Sequence, residues 1–347
     1  MPAAEPVTPQ METIPKTRRA FVYRAGVRLA GTVLACDAAA GGDLVFLSHA
    51  AVLGARGRRA LPRVGGGRRQ ILTTEATLGL LGSVGERLRG QALVTPYGRP
   101  FALGELRLEL FPSGYLPGAA SLLCEREGRR LVYSGPIGDG GEVRAADALC
   151  LDARFADPGI AFPERAEAEA LLIRLAQERA AAGAPVFLIE PLALALLVAR
   201  ALAAAGVPLR AHRAIVDAVG AFKAIAPAAV PAVQRFAGRL APNEVLLWPT
   251  DARRPRQGGA GGADTRRAIL VSPRPGATGC AQAGAAEVLT FPFGADFTGL
   301  VRYVESSGAG EVALVGAPDD TLAELLRGRG IAAYRIGPPR QIDLFDR

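Results

Sequence analysis

The sequence predicts an α/β protein of two compact units, or of one domain with a large insertion, on three observations. The chain has 347 residues, 50% of them hydrophobic and 21% charged, which suits a folded chain with more than one core. Up to Phe155, short apolar runs are separated by Gly and polar turns, the pattern of a strand-rich unit. Beyond Phe155, apolar strands alternate with amphipathic helices, and that β-α-β order implies a parallel sheet.

Residues 1–18 are polar and Pro-containing and read as a flexible leader without the apolar core of a secretory signal. Phe21 to Tyr23, Val27 to Leu29, Thr32 to Cys36 and Leu44 to Leu47 read as a β meander. A helix over Thr74 to Leu81 follows, its start marked by Thr73 or Thr74. Arg107 to Phe111, Ala120 to Glu125, Arg130 to Tyr133 and Ala148 to Leu151 carry strand patterns. Glu164 to Ala182 has apolar residues at helical spacing and ends at Gly183. Val186 to Ile189 reads as a buried strand, Leu192 to Ala205 as a helix, and Val207 to Arg210 and Val245 to Trp248 as further strands. The last stretch resumes the alternation. Strands at Ala268 to Val271, Val288 to Phe291, Val312 to Val315 and Ile331 to Tyr334 flank helices at Asp296 to Ser306 and Asp319 to Arg329.

The net charge is +8, carried almost entirely by Arg, so a polyanionic partner is plausible on charge, although an Arg bias also suits GC-rich coding. Cys36, Cys124, Cys150 and Cys280 lie far apart with no C-x-x-C pair, which argues against a structural zinc or a disulfide scaffold. Pro191 to Leu209 is the most membrane-like stretch, but it carries Arg200 and is broken by Gly206 and Pro208. The expectation is a cytoplasmic protein with no membrane partner.

Three segments together resemble the metallo-β-lactamase fold of the β-CASP nuclease branch, nearest to the bacterial DNA-ligase-associated exonucleases and the mRNA 3′-end processing nucleases. Asp43-Leu-Val-Phe-Leu-Ser-His49 resembles the strand entering that family's H-x-H-x-D-H loop. Phe111-Pro-Ser-Gly-Tyr-Leu-Pro-Gly118 is similar to its P-A-G-H-x-x-G-S turn, and Leu131-Val-Tyr-Ser-Gly-Pro136 to its Y-S-G-D strand end. Ala146 to Asp152 looks like the strand ending in an acid, and Gly206 to Ile215 like part of the inserted β-CASP domain. Phe291 to Leu300 and Val312 to Ala317 stand where the family has S-D-H-A-D and a strand ending in H-G. The resemblance implies a metallo-β-lactamase-like αββα sandwich with an inserted β-CASP-like parallel α/β domain. On it the chain divides into the leader 1–18, a first sandwich part 19–155, the insertion 156–267, a closing sandwich part 268–337 and an extended tail 338–347.

The family's hydrolysis uses two zinc ions held by about six or seven His and carboxylate ligands around a bridging water. This chain has two histidines. After His49, the matching positions hold Ala51, Leu53 and Gly54; the G-H histidine is Tyr115, the bridging aspartate is Pro136, S-D-H reads Pro292-Phe293-Gly294, and H-G reads Gly316-Ala317. Apolar side chains cannot coordinate these cations, so no metal and no catalytic residue is expected. His49, Asp152 and Asp296 remain at family positions. His49 reads as a remnant ligand or, preferably, as a strand-end histidine bonded to backbone; Asp152 reads as a structural acid, with Arg154 a candidate partner; Tyr115 reads as filling the place of a ligand.

Arg56, Arg58, Arg59, Arg63, Arg68 and Arg69 follow the degenerate motif without an intervening acid, and could hold backbone phosphate or form a solvated basic loop. His212 could touch phosphate, though a solvated loop histidine is the plainer reading. Arg253, Arg254, Arg256, Arg266 and Arg267 form a second basic loop. The tail Gln341-Ile342-Asp343-Leu344-Phe345 resembles the bacterial sliding-clamp-binding motif, commonly Q-L-[SD]-L-F. Pro338 and Pro339 keep it extended, Leu344 and Phe345 suit an apolar pocket, and Gln341 supplies a register-fixing hydrogen bond.

These readings converge on a catalytically inactive pseudo-nuclease that serves as a DNA-repair or replication accessory or scaffold and docks on the sliding clamp. One alternative is an active exonuclease or other hydrolase with a rearranged site, in which Asp37, Asp43, Asp139, Asp152 and Asp296 bind Mg²⁺ or Mn²⁺. Another is an inactive subunit paired with an active nuclease paralogue.

Overall fold

The computed structural model describes residues 19–38, 43–50, 69–183, 185–190, 193–223, 232–255, 267–273 and 283–338. The leader, Arg56, Arg58, Arg59, Arg63 and Arg68, Arg256 and Arg266, and the whole Gln341 to Phe345 motif lie outside the described residues. Three sheets and seven α-helices make up the described fold.

The first sheet orders its strands by sequence: β1 (Phe21–Tyr23), β2 (Val27–Leu29), β3 (Leu34–Cys36), β4 (Leu44–Phe46), β5 (Gln70–Thr73) and β6 (Ala92–Val94). The meander expectation holds for β1 to β3, which pair antiparallel, but β3 to β6 pair parallel. Parallel neighbours need crossovers, and α1 (Glu75–Leu80) and α2 (Ser83–Leu88) supply the one between β5 and β6.

The second sheet runs β19-β18-β11-β10-β9-β8-β7. Its members are β7 (Phe101–Leu103), β8 (Leu106–Pro112), β9 (Ala120–Arg126), β10 (Arg129–Tyr133), β11 (Ala148–Asp152), β18 (Glu311–Val315) and β19 (Ala332–Ile336). The strands β7 to β10 are antiparallel, while β10, β11, β18 and β19 are parallel. Strand alternation sorts the side chains. Ala148 and Cys150 enter the core between the two sheets with Leu34, Cys36 and Phe46, whereas Leu149 and Leu151 face the other way. That outer face is covered by α6 (Phe297–Ser307) and α7 (Thr321–Gly328) through Leu300, Val304, Leu322 and Leu326. On the outside of the first sheet, Leu47 and Ile71 pack against Leu78, Leu81 and Leu88 of the α1–α2 region. Four layers result: helix, sheet, sheet, helix.

The third sheet is parallel throughout, in the order β14-β13-β15-β12-β16-β17. It contains β12 (Val186–Ile189), β13 (Leu209–Ala211), β14 (Val233–Arg235), β15 (Val245–Pro249), β16 (Ile269–Ser272) and β17 (Glu287–Thr290). One face carries α3 (Arg165–Ala182), α4 (Leu194–Ala204) and α5 (Arg213–Lys223) on Phe187, Ile189, Val245, Leu247 and Val271. This corrects the boundary at 267: β16 and β17, assigned from sequence to the closing sandwich part, extend the parallel sheet. Val288 and Leu289 are apolar enough for either sheet, and only pairing with β16 decides between them. The return to the sandwich falls after Phe291, which is still packed in the core of the third sheet.

Among the described residues no helix is long and apolar enough to cross a membrane.

Candidate functional site

Buried polar side chains concentrate at one rim of the two-sheet sandwich. Ser48, His49, Thr73, Thr74, Ser113, Ser134 and Asp152 are all buried, and each stands at or just beyond the carboxyl end of a strand. A polar group costs free energy to bury unless it is bonded, so a rim where they gather is a candidate site.

Asp37 follows β3 with a left-handed backbone (φ 46°). Its carboxylate accepts three hydrogen bonds: from Ser48 N at 2.8 Å, from Ser48 Oγ at 2.5 Å and from Tyr133 Oη at 2.9 Å. Tyr133 comes from the second sheet, so this carboxylate ties the sheets together. Ser48 Oγ also lies 2.7 Å from His49 Nδ1. The Ser48 hydroxyl has one proton, and donating it to Asp37 makes its oxygen the acceptor of an Nδ1–H on His49. His49 is therefore bonded to a side chain, not to backbone as the sequence suggested. Burial raises the Asp37 carboxyl, against the hydrogen bonds from Ser48 and Tyr133 that lower it. Burial first, and the charge of Arg154 second, hold His49 well below its ordinary value, so the ring is neutral.

Asp152, the last residue of β11, is 9% exposed. Both its oxygens bind Arg154: Nε donates at 2.9 Å and Nη2 at 2.6 Å, with the Arg154 N–H at 3.2 Å. Burial works against the Arg154 charge, but the contact with Asp152 outweighs it and the guanidinium is held more firmly protonated than usual.

Tyr115 is 3% exposed. Its ring stands edge-on to His49 at 5.2 Å between centroids and leans on Phe293 at 4.4 Å. Its loop is held by close backbone approaches. A Cβ on Gly114 (φ 72°) would come within 2.3 Å of Gly141 N, and Gly118 O accepts the hydroxyls of Thr74 at 2.6 Å and Thr77 at 2.8 Å.

The same loop forms one wall of a cleft of about 860 Å³, faced by α3 and α4. Tyr97, Tyr115, Arg165, Glu169 and Arg200 line it, and Arg165 pairs with Asp139 across 2.6 Å.

The remaining sequence candidates scatter. Asp296 caps α6 by accepting from Gly299 N at 2.9 Å, and also accepts from Phe162 N at 3.1 Å. His212 accepts from Ala214 N at 3.2 Å through Nδ1 at the start of α5 and packs on Trp248, far in sequence from the rim. Asp43 is exposed just before β4, and Arg69 is half-buried before β5. Arg254 donates to the Ala283 carbonyl. Among the described residues no group of three or more His, Cys, Asp or Glu is placed to hold a metal. The rim residues do not fit the metal pair that the family resemblance implies: a single imidazole, one carboxylate behind Ser48 and another engaged by a guanidinium are too few free ligands for two ions.

Sequence reasoning singled out His49, Tyr115 and Asp152 but missed Ser48 and Tyr133. Their signal was polar residues closing apolar strands, in Phe46-Leu-Ser48 and Leu131-Val-Tyr133.

The architecture is that of a mixed α/β protein. Its fold is similar to a crystal structure described as a protein of unknown function from Enterococcus faecalis V583, with a TM-score of 0.55 and 14% identity over 86% of this chain and 79% of that one. No family model and no curated protein matches the sequence.

Proposed function

We propose that this chain is a catalytically silent relative of the metallo-β-lactamase/β-CASP nucleases that acts as an accessory or scaffold in DNA replication or repair. It docks on the sliding clamp through Gln341, Ile342, Asp343, Leu344 and Phe345. The four-layer sandwich with an added parallel sheet is compatible with that family. The observation that carries the silent reading is Arg154 on Asp152. A carboxylate engaged bidentately by a permanent cation, with an aromatic ring wedged where the family resemblance expects a ligand histidine, supports a rim that does not hold a metal-bound water. The +8 charge supports a polyanion as the thing held.

The test has two arms. Purified sliding clamp is captured by the full chain and by a chain ending at Pro339; equal capture removes the tail from the reading. Nuclease activity is assayed with Mn²⁺ and Zn²⁺. Cleavage that is lost in Asp152→Ala, with stoichiometric bound metal, replaces the silent reading with a working nuclease.

A further inference from the structure

The cleft of about 860 Å³ has the size of a small-molecule site, and two helices set its chemistry. On α4, Leu197, Arg200, Ala201 and Ala204 recur at helical spacing, so they share one face and present a single guanidinium over an apolar surface. On α3, Arg165 and Glu169 stand one turn apart. Arg165 Nε donates to Asp139 at 2.6 Å. Glu169 is half-buried and Arg200 exposed, and neither forms a hydrogen bond or ion pair with a described residue. Facing them, Tyr97 gives its hydroxyl to the Ala119 carbonyl at 2.8 Å and stays 39% exposed. The charged residues of the lining are two arginines and two acids, which balance, although the chain as a whole carries +8. A channel for a polyanion needs an excess of cations. A balanced wall with one unengaged charge of each sign suits a ligand that carries both.

We propose that this cleft binds a zwitterion of the α-amino acid class, either a free amino acid or a short peptide, with an apolar side chain. The Arg200 guanidinium takes the carboxylate through its donor fork, and the Glu169 carboxylate accepts from the ammonium group. The apolar side chain lies along Leu197, Ala201, Ala204 and Pro117 and against the accessible ring of Tyr97. Alanines on this face of α4 leave the width that larger side chains would fill. The Arg165–Asp139 pair ties α3 to the segment beyond β10 and keeps Arg165 from neutralising Glu169 one turn away. A nucleic-acid strand would gain at Arg200 and be repelled at Glu169 and Asp139, so this cleft is separate from any DNA contact. The inference needs neither the clamp tail nor nucleic-acid binding.

Titration calorimetry of the full chain with phenylalanine, Ala-Phe and Ala-Ala-Phe is the first measurement. Binding is expected, and the tightest of the three identifies the source as a free amino acid or a peptide. The N-acetylated and C-amidated forms of that probe are each expected to bind about tenfold weaker or worse, because each lacks one charge. Glu169→Gln is expected to weaken the free probe to the level of its acetylated form while the preference for the carboxylate over the amide remains. Arg200→Gln is expected to do the converse. Both side chains lie on helix surfaces, so the thermal melt and the capture of sliding clamp are expected to stay as in the unsubstituted chain. No binding of any of the three probes, blocked forms that bind as well as the free one, or unchanged preferences in both variants overturns the proposal and leaves the docking reading untouched. So does a short oligothymidylate that binds the cleft more tightly than the probe, weakened by Arg200→Gln and strengthened by Glu169→Gln, since that pattern belongs to a polyanion.

Discussion

The guanidinium of Arg154 closes on both carboxylate oxygens of Asp152, at 2.9 and 2.6 Å, at the end of β11 in the second sheet. Arg154→Ala leaves a buried carboxylate with only its backbone contact. Because the arginine side chain is 43% accessible, solvent screens part of the loss, and the expected cost is about 1–3 kcal/mol in urea unfolding. Asp152→Asn/Arg154→Gln removes both charges and is expected to cost less than Arg154→Ala alone.

The pH dependence of stability has a defined sign at His49. Its folded value lies well below 6.5, so as pH falls through 6.5 the unfolded chain takes up a proton that the folded chain refuses. The His49 contribution is complete above 6.5 and declines below it. Urea midpoints measured on both sides of that value are expected to show a shallower acid decline in His49→Gln. An unchanged decline would mean the ring is not protected.

Asp37 acts in the opposite direction. Its folded value is raised above 3.8, so the folded chain keeps the proton longer, and that contribution is lost as pH rises through the folded value. Asp37→Asn is expected to remove this trend. It should also weaken the link between the sheets, because an amide can accept from Ser48 or Tyr133 at only one oxygen.

Gly114 lies at φ 72°, and a Cβ there would meet Gly141 N at 2.3 Å and Gly138 O at 2.5 Å. Gly114→Ala is expected to displace the loop that carries Tyr115 and to cost about 1–3 kcal/mol. The measurement is the midpoint of a thermal melt.

Asp296 holds two backbone N–H groups, one starting α6 and one in the segment leading to α3. Asp296→Ala is expected to cost about 1–2 kcal/mol in chemical unfolding, more than removal of a solvated acid would.

Much of the fold is legible in local pattern. Arg165–Ala182, Val186–Ile189 and Phe297–Ser307 stand within a residue or so of where periodicity places them, because burial on one face dictates spacing directly. Short strands such as Ala92–Val94 and Phe101–Leu103 escaped, since three residues carry no period, and α5 was hidden in a segment read for its histidine. The candidate site was half visible. His49, Tyr115 and Asp152 stand out as lone chemistry in apolar surroundings, but nothing local says what each one touches.

What the amino-acid order by itself determined is the α/β class, the parallel character of the second half and the poverty of metal ligands, because each depends on periodicity or on a count. Tertiary structure alone decided that β16 and β17 join the third sheet, that Tyr133 reaches Asp37 across 96 positions, and that Arg154 takes Asp152 while Tyr115 wedges against His49. Contacts between strand ends depend on how sheets stack and in what register, and neighbours in the chain carry no record of that.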